Sequence, residues 1–348
     1  MALAQISDLW TPDIWIPGVR EKMATFPSLL NSGIVAKASE AQKIATEGGV
    51  TANLPFFKDI TDQADVIQVE NTAATVLGIT SGKQIVPILN RETPNSYTAL
   101  SAQVSGSDPA GELMAQIAER KLKQRNATLF NLLRGAFRSA GAADASAPLS
   151  SVRLDSFDES GLDATSNQTF SPDLFIQACA LMGELSDGLE NGGLAVHPAV
   201  YASLQIADKE SFKSGVESGL PFKITTYRGI PIFKSSLLYR AGTTDGYVYD
   251  SYIFAPGVVA WGEKPQVGGA INDPVLDVAS LNIVVDAGKN NYTIYDRTRS
   301  VLHLNGMKWT GTPAGQSATN AELATYSNWD FVLSSQPRAG IVCIRTNA

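Results

Sequence analysis

The sequence is poor in charged residues, and this shortage already excludes two classes of protein. Charged residues make up 18% of the 348 residues, against about a quarter in an average soluble domain. Acidic residues outnumber basic ones by 34 to 27, which gives a net charge of −7. A protein that binds nucleic acid without sequence preference needs a basic excess to neutralise phosphates, so that class is excluded. The ordinary hydrophobic fraction of 44% excludes a disordered chain.

Cysteine and long apolar runs are scarce as well. Cys179 and Cys343 are far apart in sequence and neither belongs to a CxxC motif, so we expect neither a disulfide framework nor a zinc site. No run of about 18 apolar residues is present, which argues against a membrane-spanning helix. The N-terminus lacks the basic and apolar regions of a secretory signal. We therefore expect a protein that is made and used in a reducing cytoplasm.

No spacing typical of catalysis or metal binding is present. The only two histidines, His197 and His303, lie in apolar, strand-like contexts and are predicted to be structural. The segment GITSGKQ at 78–84 is one residue short of a phosphate-binding loop, and Gln84 stands where that loop needs Ser or Thr, so we expect a β-turn. Two acidic groups are predicted to be solvated: Asp155, Asp158, Glu159 and Asp163, and Glu184, Asp187 and Glu190. The sequence thus predicts no catalytic, cofactor-binding or metal-binding residue and no enzymatic activity.

One long helix is the clearest element in the sequence. Asp108-Pro109 supplies a capping carboxylate and a proline at the first helical position, and an apolar stripe predicts that the helix continues to about Arg138. The stripe consists of Met114, Ala118, Leu122, Leu129, Leu133 and Ala136, and only Arg125 interrupts it. A second helix is predicted from Ser171-Pro172 to near Gly188. Strands are predicted within 48–60, 83–92, 192–198, 224–233, 245–263, 279–288, 292–306 and 339–345, with a short helix from Pro198.

The aromatic residues near the N-terminus and in the first predicted hairpin allow two interpretations. Residues 1–40 contain three prolines, which predict an arm without a long helix. The arm is too apolar to be free, so it lies either on its own domain or on a neighbouring chain. Phe56 and Phe57 belong either to a plain hairpin that packs locally or to the tip of an arm that docks on another subunit.

An ordered series of segments resembles the major capsid proteins of tailed bacteriophages, which share the Hong Kong 97-like fold. The segments are TPDIWIPGVREKM, NSGIV, GGVTANLPFFKDI, AQVSGSDPAGELMAQIAERKLKQRNATLFNLLRGAF, LAVHPAVYASLQIAD, ITTYRGIPIF, YDSYIFAPGVVAWGE and YDRTRSVLHLNGMKW. Each segment is a weak pattern by itself, but their order agrees with the family over most of the chain. The resemblance implies an α+β capsid fold with an N-terminal arm, an extended hairpin called the E-loop, a long spine helix in a peripheral domain, and an axial domain.

The resemblance also implies where these parts lie along the chain. The boundaries are 1–47 for the N-terminal arm, 48–92 for the E-loop, 93–169 for the first part of the peripheral domain with its spine helix at about 109–138, 170–265 for the axial domain, and 266–348 for the return strands and the C-terminal segment. No long scaffolding segment precedes the arm, so we expect a separate scaffold or none. No Lys–Asn crosslinking pair is identifiable, so covalent crosslinking is not implied.

The implied function is that of a major capsid protein that self-assembles, as hexamers and pentamers, into the icosahedral shell around the double-stranded DNA of a tailed phage. Implied partners are copies of the chain, portal, scaffold or decoration proteins, and packaged DNA that is held with at most weak non-specific contact. The implied location is the virion capsid, assembled in the host cytoplasm without a membrane. Since large aromatic residues dominate interface energetics, the inter-subunit contact candidates are Trp10, Trp15, Phe26, Phe56, Phe57 and Lys58.

Two alternatives remain open at this point. One is an encapsulin-like shell protein of the same fold, and the other is a soluble α+β enzyme or binding protein with an unrecognised site. The low charge fraction suits a subunit that buries much of its periphery against neighbours. The two charge-poor stretches 139–152 and 310–328 are therefore predicted to be contacts or flexible loops.

Overall fold

The fold is described from a computed structural model. The described residues are 12–24, 35–37, 39–57, 67, 70, 73, 78, 80–98, 109–138, 147–158, 168–208, 211–215, 224–244, 246–269, 277–286, 288–289 and 291–347. The α-helices within them are α1 (Pro12–Ala24), α2 (Ser39–Thr46), α3 (Pro109–Phe137), α4 (Pro172–Leu181), α5 (Pro198–Ala207) and α6 (Asn320–Ala324). Short 3-10 helices cover Ser150–Val152, Gly183–Asn191, Tyr326–Asn328 and Gln336–Ala339.

Two large sheets carry most of the strands. The first contains β1 (Val35–Lys37), β2 (Thr51–Phe57), β3 (Ser81–Thr98), β11 (Val259–Glu263), β12 (Val267–Gly268), β13 (Ser280–Val285) and β14 (Asn291–Leu304). The second contains β4 (Arg153–Ser156), β5 (Gly193–Val196), β6 (Phe212–Gly215), β7 (Ile224–Tyr227), β8 (Ile230–Lys234), β9 (Tyr239–Ala241), β10 (Tyr247–Phe254) and β17 (Ile341–Thr346). A small ribbon pairs β15 (Met307–Trp309) with β16 (Trp329–Phe331).

Strand β14 organises the first sheet. It pairs antiparallel with β3 from Asn291 to Val301, and with β13 and β11 on its other side. Beyond this pairing β3 continues as one strand of a hairpin with β2. The second sheet has the order β4-β17-β10-β5-β8-β7-β6, with β9 paired to β10. Both the predicted hairpin in 48–92 and the predicted late strand pair are present.

Helix α3 joins the two sheets, and its 29 residues agree with the helix predicted from the apolar stripe. Near its start, Ile117 and Leu122 belong to an apolar cluster with α1 and with β13 and β14. Near its end, Leu129, Leu133 and Phe137 are buried in the main core, which includes residues of the second sheet. A single rigid helix therefore fixes the position of one sheet relative to the other.

The sheet pairing crosses two of the predicted boundaries. The C-terminal strand β17 pairs with β10 and β4, so it lies in the same sheet as most of 170–265 and not with the return strands of 266–304. Conversely β11, which falls inside 170–265, pairs with β14 in the first sheet. These pairings join residues far apart in sequence, and local patterns do not encode them.

Two local predictions also need correction. The arm contains a 13-residue helix, α1, with Pro17 inside it, although the prolines predicted no long helix. The second predicted helix ends at Leu181 instead of near Gly188, because Gly183 has a left-handed φ of 57°. A 3-10 helix covers the residues that follow, from Gly183 to Asn191.

Candidate assembly surfaces

The hairpin of β2 and β3 separates the roles of its two phenylalanines. Its strands are paired from Thr51 with Pro87 to Phe57 with Ser81. A Cβ atom at Gly82 would collide with the ring of Phe56, so that ring lies directly on the opposite strand. Phe57 points away and leaves 78% of its surface exposed. Phe56 therefore matches the local-packing interpretation, whereas Phe57 is free to contact another molecule.

The base of the hairpin is held by buried polar contacts to β14. Arg299 is 6% exposed and donates from Nε to the carbonyl oxygen of Ala45 at 2.9 Å. Its Nη2 donates to the carbonyl oxygens of Glu47 and Gly49 at 2.5 and 3.0 Å. These contacts fix the loop that leads from α2 into β2, and charge-assisted hydrogen bonds of this kind are stronger than neutral ones. The hairpin thus projects from a rigid base.

The arm residue Trp15 is the clearest correction among the predicted contact residues. It is 1% exposed and belongs to a cluster with Ile117 and Leu122 of α3 and Leu281 of β13. The ring is buried within its own subunit, so it is not an inter-subunit anchor in this conformation. The predicted contact residues Trp10, Phe26 and Lys58 lie outside the described residues.

Ion pairs along α3 tie the helix to the first sheet. Lys121 lies 2.6 Å from the buried carboxylate of Asp296 in β14. Arg125 donates to both carboxylate oxygens of Glu263 at 2.7 and 2.6 Å, which explains why a charged residue interrupts the apolar stripe. Such pairs specify one arrangement of helix and sheet more than they add stability.

A second group of ion pairs lies at the end of α3. Arg138 pairs with Asp250 of β10, whose side chain is 1% exposed. The carbonyl oxygen of Phe137 accepts from Arg345 at 2.9 Å and from Arg153 at 2.7 Å. Arg153 also pairs with Asp155 at 2.8 Å. Asp155 therefore lies in a strand beside an arginine and not in a loop, while its side chain stays 37% exposed to solvent as predicted.

The other candidates for chemistry have structural surroundings. His197 caps α5 by accepting from the backbone N–H of Ala199 at 3.2 Å, and His303 is buried against Gln84. Ser81 to Gln84 open strand β3, whereas a phosphate-binding loop leads into a helix. Burial raises the pKa of the Cys343 thiol to about 12, which keeps it protonated. Among the described residues no group of three or more His, Cys, Asp or Glu side chains is placed to hold a metal, and no helix is long and apolar enough to span a bilayer.

The sequence analysis missed a set of exposed apolar side chains in the second-sheet region. They are Ile176, Leu185, Ile206, Leu237, Tyr239 and Tyr247. Isolated exposed apolar residues are normal, and the sequence does not reveal that Tyr239 and Tyr247 lie together with ring centroids 5.3 Å apart. In the sequence, the alternation of Tyr247 and Tyr249 in β10 is the one pattern that points to this aromatic cluster.

The fold defines the class of protein. The chain has a TM-score of 0.57 to the capsid of Ralstonia phage GP4, at 10% identity, covering 90% of this chain and 87% of that one. Its TM-score to the mature capsid of bacteriophage PhiM1 is 0.51, at 12% identity over 80% and 84% of the two chains. The α+β Hong Kong 97-like fold class is thereby confirmed.

Sequence similarity to a curated protein is more specific than the likeness in fold. The chain is 26% identical over 337 residues to the major capsid protein of Bacillus phage SPP1, covering 95% of both chains. No protein-family profile matches the sequence. The resemblance to tailed-phage major capsid proteins, and the function of major capsid protein expected from it, are confirmed by this likeness. A structural role follows.

Proposed function

We propose that copies of this chain assemble as hexamers and pentamers into the icosahedral shell that encloses the double-stranded DNA of a tailed phage. The observation that carries the proposal is the likeness to a major capsid protein along 95% of the chain. Its support in the structure is the hairpin of β2 and β3, which stands on a rigid base and exposes Phe57. An exposed aromatic side chain of this kind is a typical anchor in protein interfaces.

The net charge of −7 supports an enclosing role. A shell that neutralised many phosphates would bind DNA tightly and oppose its packing and release. We infer that the packaged DNA makes at most weak non-specific contact with the shell. Portal, scaffold or decoration proteins complete the proposed set of partners, and the proposed location is the virion capsid, assembled in the host cytoplasm.

The domain division is part of the same proposal. We assign α3 and the first sheet to the peripheral domain, the hairpin to the E-loop, and the second sheet, including β4 and β17, to the axial domain. The helix α1 belongs with the peripheral domain because Trp15 is buried against α3.

The test compares particle formation by the wild type with that of Phe57→Ser and Phe57→Leu. We expect megadalton particles from the wild type and from Phe57→Leu, which keeps an apolar contact, and a loss of particles in Phe57→Ser. Light scattering and electron microscopy measure the outcome, and circular dichroism of the unassembled subunits checks that each variant folds. A small oligomer of the wild type contradicts the proposal and favours an enzyme or binding protein. Particles that lack DNA after production with the phage's packaging proteins favour an encapsulin-like compartment.

A further inference from the structure

One segment of the second-sheet region contributes only acidic side chains to its surface. From 168 to 208 the chain contains no Lys or Arg, and four exposed carboxylates lie on α4 and the following 3-10 helix. These are Asp173, Glu184, Asp187 and Glu190. None of the four makes an ion pair with another described residue. Ile176 and Leu185 lie exposed among them, and we call this set of six residues the acidic face.

A second surface carries an excess of basic side chains. Lys234 Nζ lies 3.9 Å from the centre of the Tyr201 ring, and Arg120 donates to Oδ1 of Asn95 at 3.5 Å. A groove runs between α3, along 116–127, and the loop Lys234 to Leu237. Arg120 and Lys234 line it, and within the described part of the chain neither contacts a carboxylate. Lys123 lines it as well, paired with Glu119 at 2.6 Å. From 224 to 242 the chain has no acidic residue.

The loop that forms one wall of the groove is held in place and has an apolar rim. Arg134 of α3 donates to the carbonyl oxygens of Leu237 and Tyr239 at 2.8 and 2.9 Å. Leu237, Tyr239 and Tyr247 are exposed beside it, and the two tyrosine rings meet edge to face. A fixed loop loses little conformational entropy on binding. We call the groove and this rim the basic face.

We propose that the acidic face of one copy docks on the basic face of the next copy, and that this head-to-tail contact builds the rings of the shell. The inference rests on the proposed function and specifies which surfaces meet. Contacts between two different surfaces of identical subunits form rings when the rotation between copies closes, whereas a surface that paired with itself would give only dimers. Opposite charge on the two faces fixes the direction of the contact and disfavours acidic-to-acidic pairing.

The exposed apolar residues favour a second copy of the chain, and not packaged DNA, as the partner of the basic face. A DNA backbone would satisfy Arg120 and Lys234, but it offers nothing apolar to Leu237 and the tyrosines. The acidic face supplies both kinds of partner, carboxylates for the cations and Ile176 and Leu185 for the rim. Tyr and Arg are enriched in the buried centres of protein interfaces.

The test is a charge swap in the full chain. Glu184→Lys/Asp187→Lys reverses the acidic face, and Arg120→Glu/Lys234→Glu reverses the basic face. We expect each pair to lower the assembled fraction by about ten-fold or more, since it places like charges together. The four substitutions combined restore opposite charges in every contact, and we expect assembly to return to near the wild-type fraction. Asp286→Lys and Lys289→Glu, at exposed positions outside both faces, serve as matched controls and should assemble normally.

The outcomes separate this inference from the proposed function. If the wild type forms shells and either reversed pair assembles normally, or if the fourfold variant fails to recover, the contact is wrong while the shell function stands. If reversal of the basic face leaves assembly intact and lowers the DNA retained per particle, the groove binds DNA, which also overturns the contact. If the wild type forms no particle, the proposed function itself fails. Circular dichroism of each variant excludes loss of folding as the cause.

Discussion

The buried histidine at the base of the hairpin predicts a loss of stability in mild acid. His303 of β14 is 3% exposed, and its Nε2 lies 2.6 Å from Oε1 of Gln84 in β3. Its Nδ1 has no hydrogen-bond partner among the described residues. Protonation would place a charge and a second N–H donor in a site that has an acceptor for only one. Burial accordingly lowers the pKa of His303 from 6.5 to about 4.

The size and sign of the effect follow from linkage. The folded protein favours the neutral imidazole of His303. The stability that the neutral form contributes is therefore complete above the unfolded pKa of 6.5, and it is lost as the pH falls towards the pKa of the folded protein. A difference of about 2.5 pKa units corresponds to about 3 kcal/mol. Most of this loss is reached at pH 4.5. The contact joins β14 to the first residues of β3, so we expect the hairpin base to loosen first.

Urea unfolding of the unassembled subunit measures the prediction. The free energy of unfolding is determined at pH 7 and pH 4.5 for the wild type and for His303→Gln, which keeps a donor for Gln84 and does not titrate. Carboxylates and His197 titrate in both proteins, so the difference between the two pH dependences isolates His303. We expect the wild type to lose roughly 2–3 kcal/mol more than the variant between pH 7 and pH 4.5. Equal losses would refute the assignment of a buried neutral histidine.

Two further substitutions test the packing around α3. Trp15→Ala should lower the free energy of unfolding by about 3–5 kcal/mol. The entropy of unfolding is about 0.7 kcal/mol/K for 348 residues, so calorimetry should show a fall in Tm of about 4–7 °C. An unchanged Tm would mean that α1 is not part of the subunit core. Gly135→Ala should destabilise by about 1–3 kcal/mol, although alanine is the better helix former, because its Cβ would collide with the carbonyl oxygen of Leu323. Gly188→Ala, which has open space around it, is the control, and a stabilised Gly135→Ala would contradict the close contact.

Local patterns predicted the elements of this fold well, and the reason is physical. The period of the apolar stripe and the proline at position 109 are sufficient to define α3, because a helix is specified by its own residues. The turn between β7 and β8 follows from Arg228 and Gly229, whose φ values are 50° and 87°. The sequence did not predict α1, because the three prolines within residues 1–40 argue against a helix there. The cost of a proline inside a helix, about 3 kcal/mol, is offset by the burial of Trp15.

Contacts between distant residues could not be predicted in this way. The pairing of Arg138 with Asp250 spans 112 residues, and no spacing rule connects them. The position of β17 in the second sheet could not be predicted either, because an alternating pattern predicts a strand but not the strands with which it pairs. For the candidate surfaces, aromatic content alone selected both Trp15 and Phe57, and only burial distinguishes them.

The positions of the charged residues in the structure explain how a chain with few of them can still have faces of one sign. Some of the charged side chains form ion pairs within the subunit, where Lys121, Arg125 and Arg138 each pair with a carboxylate of a sheet. The charge that remains outside is therefore sparse, and a face of one sign has few opposite charges nearby to weaken it. Screening limits exposed charges to about 8 Å at physiological salt, so such faces act only at contact distance. We therefore expect that raising the salt concentration slows the proposed head-to-tail assembly without unfolding the subunit.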